Sequence, residues 1–205
     1  MATDRNYHHG DLRAALIARA CEVVESQGHE AVSLRALAEE LGVSRGAPYR
    51  HFPERDQLLA EIASIGFERL AAITADAPTQ PLAPPAMLLR AGQGFLQFVE
   101  EQPQMFRLIY ESGLMQRADT FPHLAAMQSD VYQMIFSLYA AAAAGLDLTH
   151  KQLQARMIAF WSTIFGYAKI RQAALLQPYM KDELAEPEIM AQVIRTAIGP
   201  DIVGN

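Results

Sequence analysis

Arg45, Gly46, Tyr49, Arg50 and His51 lie within one short run of the chain. Four of these side chains can donate a hydrogen bond, and the glycine lets backbone come close to a neighbouring surface. A forked guanidinium matches the edge of a guanine, and a phenol or an imidazole suits a phosphate oxygen. This combination is the chemistry of reading a nucleic-acid groove. Arg45 and Tyr49 also have plainer readings, as a solvated charge and as a core aromatic.

These residues need elements to hold them. Leu34, Leu37, Ala38 and Leu41 recur at helical spacing, so a short amphipathic helix is expected there. Ser33 stands where an N-cap belongs, and Gly42 where a left-handed C-terminal residue is needed. Ser44 is placed to cap a second short helix ending near Phe52, with Val43 and Phe52 as core. Helix, tight glycine turn and helix over 33–52 form a helix-turn-helix pattern. Free N–H groups at both helix starts also suit phosphates. Pro48 cannot donate to the carbonyl four residues earlier, so the second helix has an irregular first turn or begins near Ala47.

Gly42-Val43-Ser44-Arg45-Gly46-Ala47-Pro48-Tyr49-Arg50-His51-Phe52 resembles the recognition helix of TetR-type (tetracycline-repressor-like, TetR/AcrR) transcriptional regulators. Pro53 to Leu59 is similar to that family's entry into its next helix. The resemblance spans 7–70. It implies an all-α homodimer with an N-terminal three-helix helix-turn-helix DNA-binding domain and a C-terminal helical-bundle domain for effector binding and dimerisation, here 83–200. It implies palindromic double-stranded operator DNA as partner, read in the major groove. On this basis Arg45 is the candidate for base edges. Ser33, Ser44, Tyr49, His51 and Arg55 are candidate phosphate contacts, Arg55 standing where the family commonly has a lysine. Gly46 and Ala47 permit close approach, and Arg50 reaches phosphate or solvent. His8-His9, near the first helix start, is expected at phosphate, since adjacent histidines do not face one metal site.

Bulk properties agree with a reader of specific DNA. The net charge of −6 argues against indiscriminate coating of nucleic acid, yet Leu41 to Arg55 holds three arginines and one glutamate. The chain of 205 residues is about half apolar, enough for one or two small domains with a real core. Cys21 is the only cysteine, so no intrachain disulfide and no cysteine-rich zinc site can form. With no signal peptide and no long unbroken apolar run, a soluble cytoplasmic protein without a membrane span is expected.

In chain order, Leu12, Leu16, Ala20, Val23 and Val24 form the stripe of a first helix ending near Gly28, with Asp11 able to cap it. A long helix follows Arg55 to about Ala75. Ala77 to Pro85 holds four prolines and reads as a linker. Helices are expected from Ala86 to Glu101, from Pro103, from Pro122 to Ala144, from Thr149 and from Pro187. Thr149 and Gln152 have capping-box spacing.

The helix after Thr149 carries a large stripe (Leu153, Met157, Phe160, Ile164, Tyr167) and a small one (Ala155, Ala159, Ser162, Gly166). Large residues fill a core, and small ones let another helix approach. Dimerisation through the last two long helices is expected; the alternative buries both stripes within one subunit. Trp161 to Gly166 resembles a motif of one TetR subgroup with a histidine before the glycine. Phe165 stands there, so that histidine's role does not carry over. Phe95, Phe98, Phe106, Tyr110, Met127, Val131, Met134 and Met157 are candidate walls of a mainly apolar effector pocket, or simply core.

Catalytic patterns are poor. There is no Gly-rich phosphate loop and no Gly-x-Ser-x-Gly, and paired helical Glu-x-x-His motifs are missing. No metal, cofactor or enzyme activity is expected. The reading is a repressor released by a small, mainly apolar effector. The alternatives are a DNA-binding module governed by a protein partner or by no ligand, and an all-helical enzyme with an accidental resemblance.

Overall fold

The apolar stripe of the first helix, α1 (Leu12–Gln27), is buried along Leu16, Ala20, Val23 and Val24, with Cys21 beside them. The computed structural model describes residues 12–75, 82–180 and 185–204. The expectations for Tyr7 to Asp11, and for most of the proline-rich linker, lie outside those residues.

Helix α2 (Leu34–Glu40) buries Leu34, Leu37 and Ala38, as its spacing requires. The Ser33 hydroxyl accepts the Ala36 N–H at 3.4 Å. At the other end Gly42 adopts φ 68°. The Val43 N–H reaches the Ala38 carbonyl at 2.9 Å, and the Gly42 N–H the Glu39 carbonyl at 3.2 Å. This is a Schellman closure, and it turns the chain sharply toward the next segment. A Cβ at Gly42 would meet nothing within 4 Å, so any substitution there suffers only from backbone conformation. Gly42→Ala is therefore expected to cost about 1–2 kcal/mol. Urea unfolding would check this, and Gly42→Asn should lose less, since asparagine tolerates the left-handed region.

Helix α3 (Arg55–Ala75) is followed by α4 (Pro84–Glu101), α5 (Pro103–Glu111) and α6 (Pro122–Ala142). The linker was expected to reach Pro85, but α4 starts at Pro84. Proline suits a first helical turn, where its missing N–H leaves no bond unmade. Helices α7 (His150–Gln172), α8 (Glu186–Ile198) and the short α9 (Pro200–Val203) complete the order. The Thr149 capping box forms. Its hydroxyl accepts the Gln152 N–H at 3.3 Å, and the Gln152 side chain accepts the Thr149 N–H at 2.8 Å. No strand occurs among the described residues.

The chain forms two compact units. The first takes the N-terminal residues to Phe67 together with Gln104–Ala125. Its core joins Leu16 and Leu37 to Leu58, Ile62, Phe106 and Ile109. A division at the proline-rich stretch, as the sequence suggests, puts 104–125 with the second domain. The second unit takes Glu68–Pro103 and the residues from Ala126 onward. There α8 packs against α4 and α7. Gly92 permits this, because a Cβ would sit 2.8 Å from the Ile194 side chain. The Tyr139 hydroxyl donates to the Ile198 carbonyl at 2.5 Å, and Arg156 pairs with Asp201 at 2.7 Å, which ties the C-terminal turn to α6 and α7.

Candidate nucleic-acid interface

The segment after Gly42 is not the capped α-helix expected from Ser44 to Phe52. It is a chain of tight turns containing a 3₁₀ helix over Pro48–Arg50. The reason is local. Proline has no N–H, so the Ser44 carbonyl cannot receive the bond from Pro48 that an α-helix requires. The Ala47 N–H donates to it at 2.9 Å instead. The His51 and Phe52 N–H groups then both reach the Pro48 carbonyl, at 3.0 and 2.9 Å. Ala47, not Ser44, takes the N-cap position, and it is held by no side chain.

Burial sorts the segment into an inner and an outer side. Pro48 is buried, and Phe52 is 2% exposed with the Arg13 guanidinium 5.4 Å from its ring centroid. Ser33, Ser44, Arg45, Gly46, Arg50 and His51 are exposed, and Ala47 is half-buried. Tyr49 is 48% exposed, so its core reading does not hold. Arg45 and Arg50 have no carboxylate partner among the described residues. A Cβ at Gly46 would meet nothing within 4 Å, so any close approach there comes from outside the chain. The turn segment thus exposes two guanidinium groups with no carboxylate partner among the described residues, a phenol, an imidazole and a side-chain-free position, while Pro48 and Phe52 are buried.

Arg55 stands apart from this set. Its Nε donates to the Val32 carbonyl at 2.9 Å and its Nη2 to the His29 carbonyl. The remaining Nη1 lies 3.7 Å from Asp56, which also pairs with Arg117 at 2.7 Å. Arg55 therefore clamps the turn that leads into α2, a role beyond the phosphate contact expected of it. Charged donors on carbonyls contribute about 1.5–3 kcal/mol when well shielded, and less at a site as open as this one. Arg55→Ala is expected to lower stability by about 1 kcal/mol and to weaken DNA binding through a loosened α2. An unchanged urea midpoint with a salt dependence flattened by about one unit would instead mean a plain phosphate contact.

The same turn holds His29, buried, with Nδ1 lacking a hydrogen-bond partner. Burial pushes its imidazole below the ordinary histidine range; nearby Glu30 acts the other way. Glu30 also meets Arg107 of α5 at 3.2 Å, which fastens the turn to the rest of the first unit. Neither His29 nor Arg107 stands out in the sequence, because the partner lies far along the chain and no local spacing signals it.

The expected pocket residues are divided between the two units. Phe106 is fully buried in the first unit, beside Tyr110 with ring centroids 5.0 Å apart. Burial raises the Tyr110 phenol pKa well above its ordinary value. Phe95, Phe98 and Met157 are buried in the second unit, where Met127 and Val131 are half-buried. Met134 is 52% exposed. It precedes half-buried Ile135 and is rotated about 100° off that face of α6. As a wall of an interior pocket, Met134 is set aside.

Comparison with known proteins agrees with this architecture. The model of bacterial regulatory proteins of the tetR family matches residues 16–62, and that of the tetracyclin repressor-like C-terminal domain matches 88–196. The chain belongs to the tetR family of bacterial regulatory proteins. It is 27% identical over 114 residues to the HTH-type transcriptional activator FasR of Mycolicibacterium smegmatis. That match takes in 56% of this chain and spans half the length of FasR. A protein of unknown function from Rhodococcus sp. RHA1 shares the fold with TM-score 0.71 at 24% identity, covering 95% of both chains. A TetR-like transcriptional regulator from the same organism gives TM-score 0.61 at 19% identity, covering 94% of this chain and 96% of its own. No helix among the described residues is long and apolar enough to cross a membrane.

Proposed function

We propose that this regulator is a homodimer that binds a palindromic operator through the exposed turn segment and controls the adjacent promoter as a repressor. The observation that carries the reading is the outward set Ser44, Arg45, Gly46, Tyr49, Arg50 and His51, backed by buried Pro48 and Phe52. Arg45 reads a base edge; Tyr49, His51 and the serines Ser33 and Ser44 hold phosphates; Gly46 and Ala47 let the groove wall come close. Dimerisation would use α7 and α8. The large stripe of α7 is buried at Met157, Phe160, Ile164 and Tyr167, whereas the small stripe at Ala155, Ala159 and Ser162 is exposed. Ile158 at 58% and Trp161 at 37% exposure flank it. An apolar face of that kind is costly to leave in water.

An effector is placed in the second unit against Phe95, Phe98 and Met157, all apolar, which favours a neutral or weakly polar molecule. It would act only through different affinities for DNA-competent and incompetent states. An activator is the second reading, favoured by the similarity to FasR, a transcriptional activator. Selection of bound sequences from a random DNA pool, followed by deletion of the gene, tests both. An inverted repeat whose neighbouring transcript rises on deletion supports repression; a falling transcript means activation; no recovered repeat removes the operator reading.

A further inference from the structure

We propose that the first unit contains a second binding site, beneath the recognition segment, for a small organic anion whose occupancy weakens DNA binding. The site is a cavity of about 260 Å³ whose described wall residues all belong to the first unit. That size lies just below the roughly 300–1,000 Å³ of pockets for drug-sized ligands, so a smaller molecule fits it.

Its polar lining is rich in hydrogen-bond donors. Arg13, His51, Gln57, Thr120 and His123 supply donors, and Glu61 is the one carboxylate among the described lining residues. Glu61 is already engaged by Arg13, with Nη2 to Oε1 at 2.6 Å. A guanidinium has five N–H donors in a fork, so Arg13 retains capacity for a second carboxylate. Phe52, Phe121 and Leu124 provide the apolar part of the wall. The occupant that satisfies both parts is a carboxylate on a compact apolar or aromatic body. The second unit's apolar interior offers no comparable cation among Phe95, Phe98 and Met157, so the two sites would select different chemistry.

The coupling follows from two residues shared with the DNA-facing segment. His51 and Phe52 line the cavity, and Arg13 lies over the Phe52 ring. The coupling rests on the operator reading above. A negative charge placed beside His51 repels the phosphate that His51 would hold, over a distance at which salt does not fully screen it. By linkage, operator DNA must weaken anion binding by the same factor.

The test uses the full chain and sodium benzoate, with benzamide and benzylammonium as neutral and cationic comparators at constant ionic strength. Amide resonances of His51, Ser64 and Leu124 should shift saturably, with affinity for benzoate at least tenfold above either comparator. Arg13→Gln should lower benzoate affinity at least tenfold. Ala60→Leu, which fills the cavity, should abolish the shifts while circular dichroism stays unchanged. Saturating benzoate should weaken operator affinity at least threefold in the wild type and not in Ala60→Leu. Shifts confined to other residues, equal affinity for the three probes, or insensitivity to both variants would overturn the site. Anion binding without any change in operator affinity would overturn the coupling. A protein that takes up benzoate at these residues yet prefers no DNA sequence would instead refute the operator reading.

Discussion

Arg45→Ala is expected to reduce operator affinity roughly 5- to 150-fold per protomer, corresponding to about 1–3 kcal/mol for one forked base contact. It should also relax the preference at one base position in each half-site. The side chain is exposed and has no carboxylate partner among the described residues, so its removal leaves the fold untouched. Both features follow from the turn geometry: Pro48 and Phe52 point inward, and the residues between the Schellman closure and Pro48 are left on the outer surface. Tyr49→Phe removes one neutral hydroxyl and should weaken all sequences evenly, without changing the salt dependence. Anisotropy titrations against an operator panel substituted base by base separate the two effects. If Arg45→Ala keeps both affinity and base preference, it is not the reading residue.

Gly166→Trp is expected to weaken dimerisation by at least tenfold. Within the chain the position is open, since a Cβ would meet nothing within 4 Å. The folded protomer should therefore accept the substitution. Against a second α7, an indole would hold apart surfaces built from Ala155, Ala159 and Ser162. Overpacking of this kind costs about 1–3 kcal/mol, and an isologous interface meets the residue twice. Operator affinity should fall with it, because each protomer then binds one half-site alone. Sedimentation across a concentration series, with circular dichroism as the folding control, reads the effect. An unchanged dimer, or a wild type that is monomeric at micromolar concentration, would move the interface away from this face.

Local signals were legible in the sequence and remote ones were not. Ser33, Gly42, Thr149 and Gln152 announce caps because a cap is decided by neighbours a few residues away. Pro48 announced irregularity for the same reason, although which turn would replace the α-helix depended on where Ala47, His51 and Phe52 sent their N–H groups. Arg55 carried an incomplete signal. Its position suggests a phosphate contact, yet the carbonyls it meets belong to His29 and Val32, more than twenty positions earlier. The recruitment of 104–125 into the first unit is equally non-local, since Phe106 and Ile109 have the same helical spacing whichever core they join. Among the pocket candidates, apolar type alone could not tell buried Phe98 from surface Met134. A one-residue offset on a helix moves a side chain to another face.

The exposed turn segment is proposed to read a specific operator as part of a dimer. The most direct test is titration of the full chain against a selected inverted repeat and a scrambled duplex over several salt concentrations, with stoichiometry measured. The expected result is two protomers per repeat, a clear preference for the repeat at every salt, and affinity for both duplexes falling as salt rises. Equal affinity for the two duplexes, or a preference unaffected by replacing Arg45, would contradict the account.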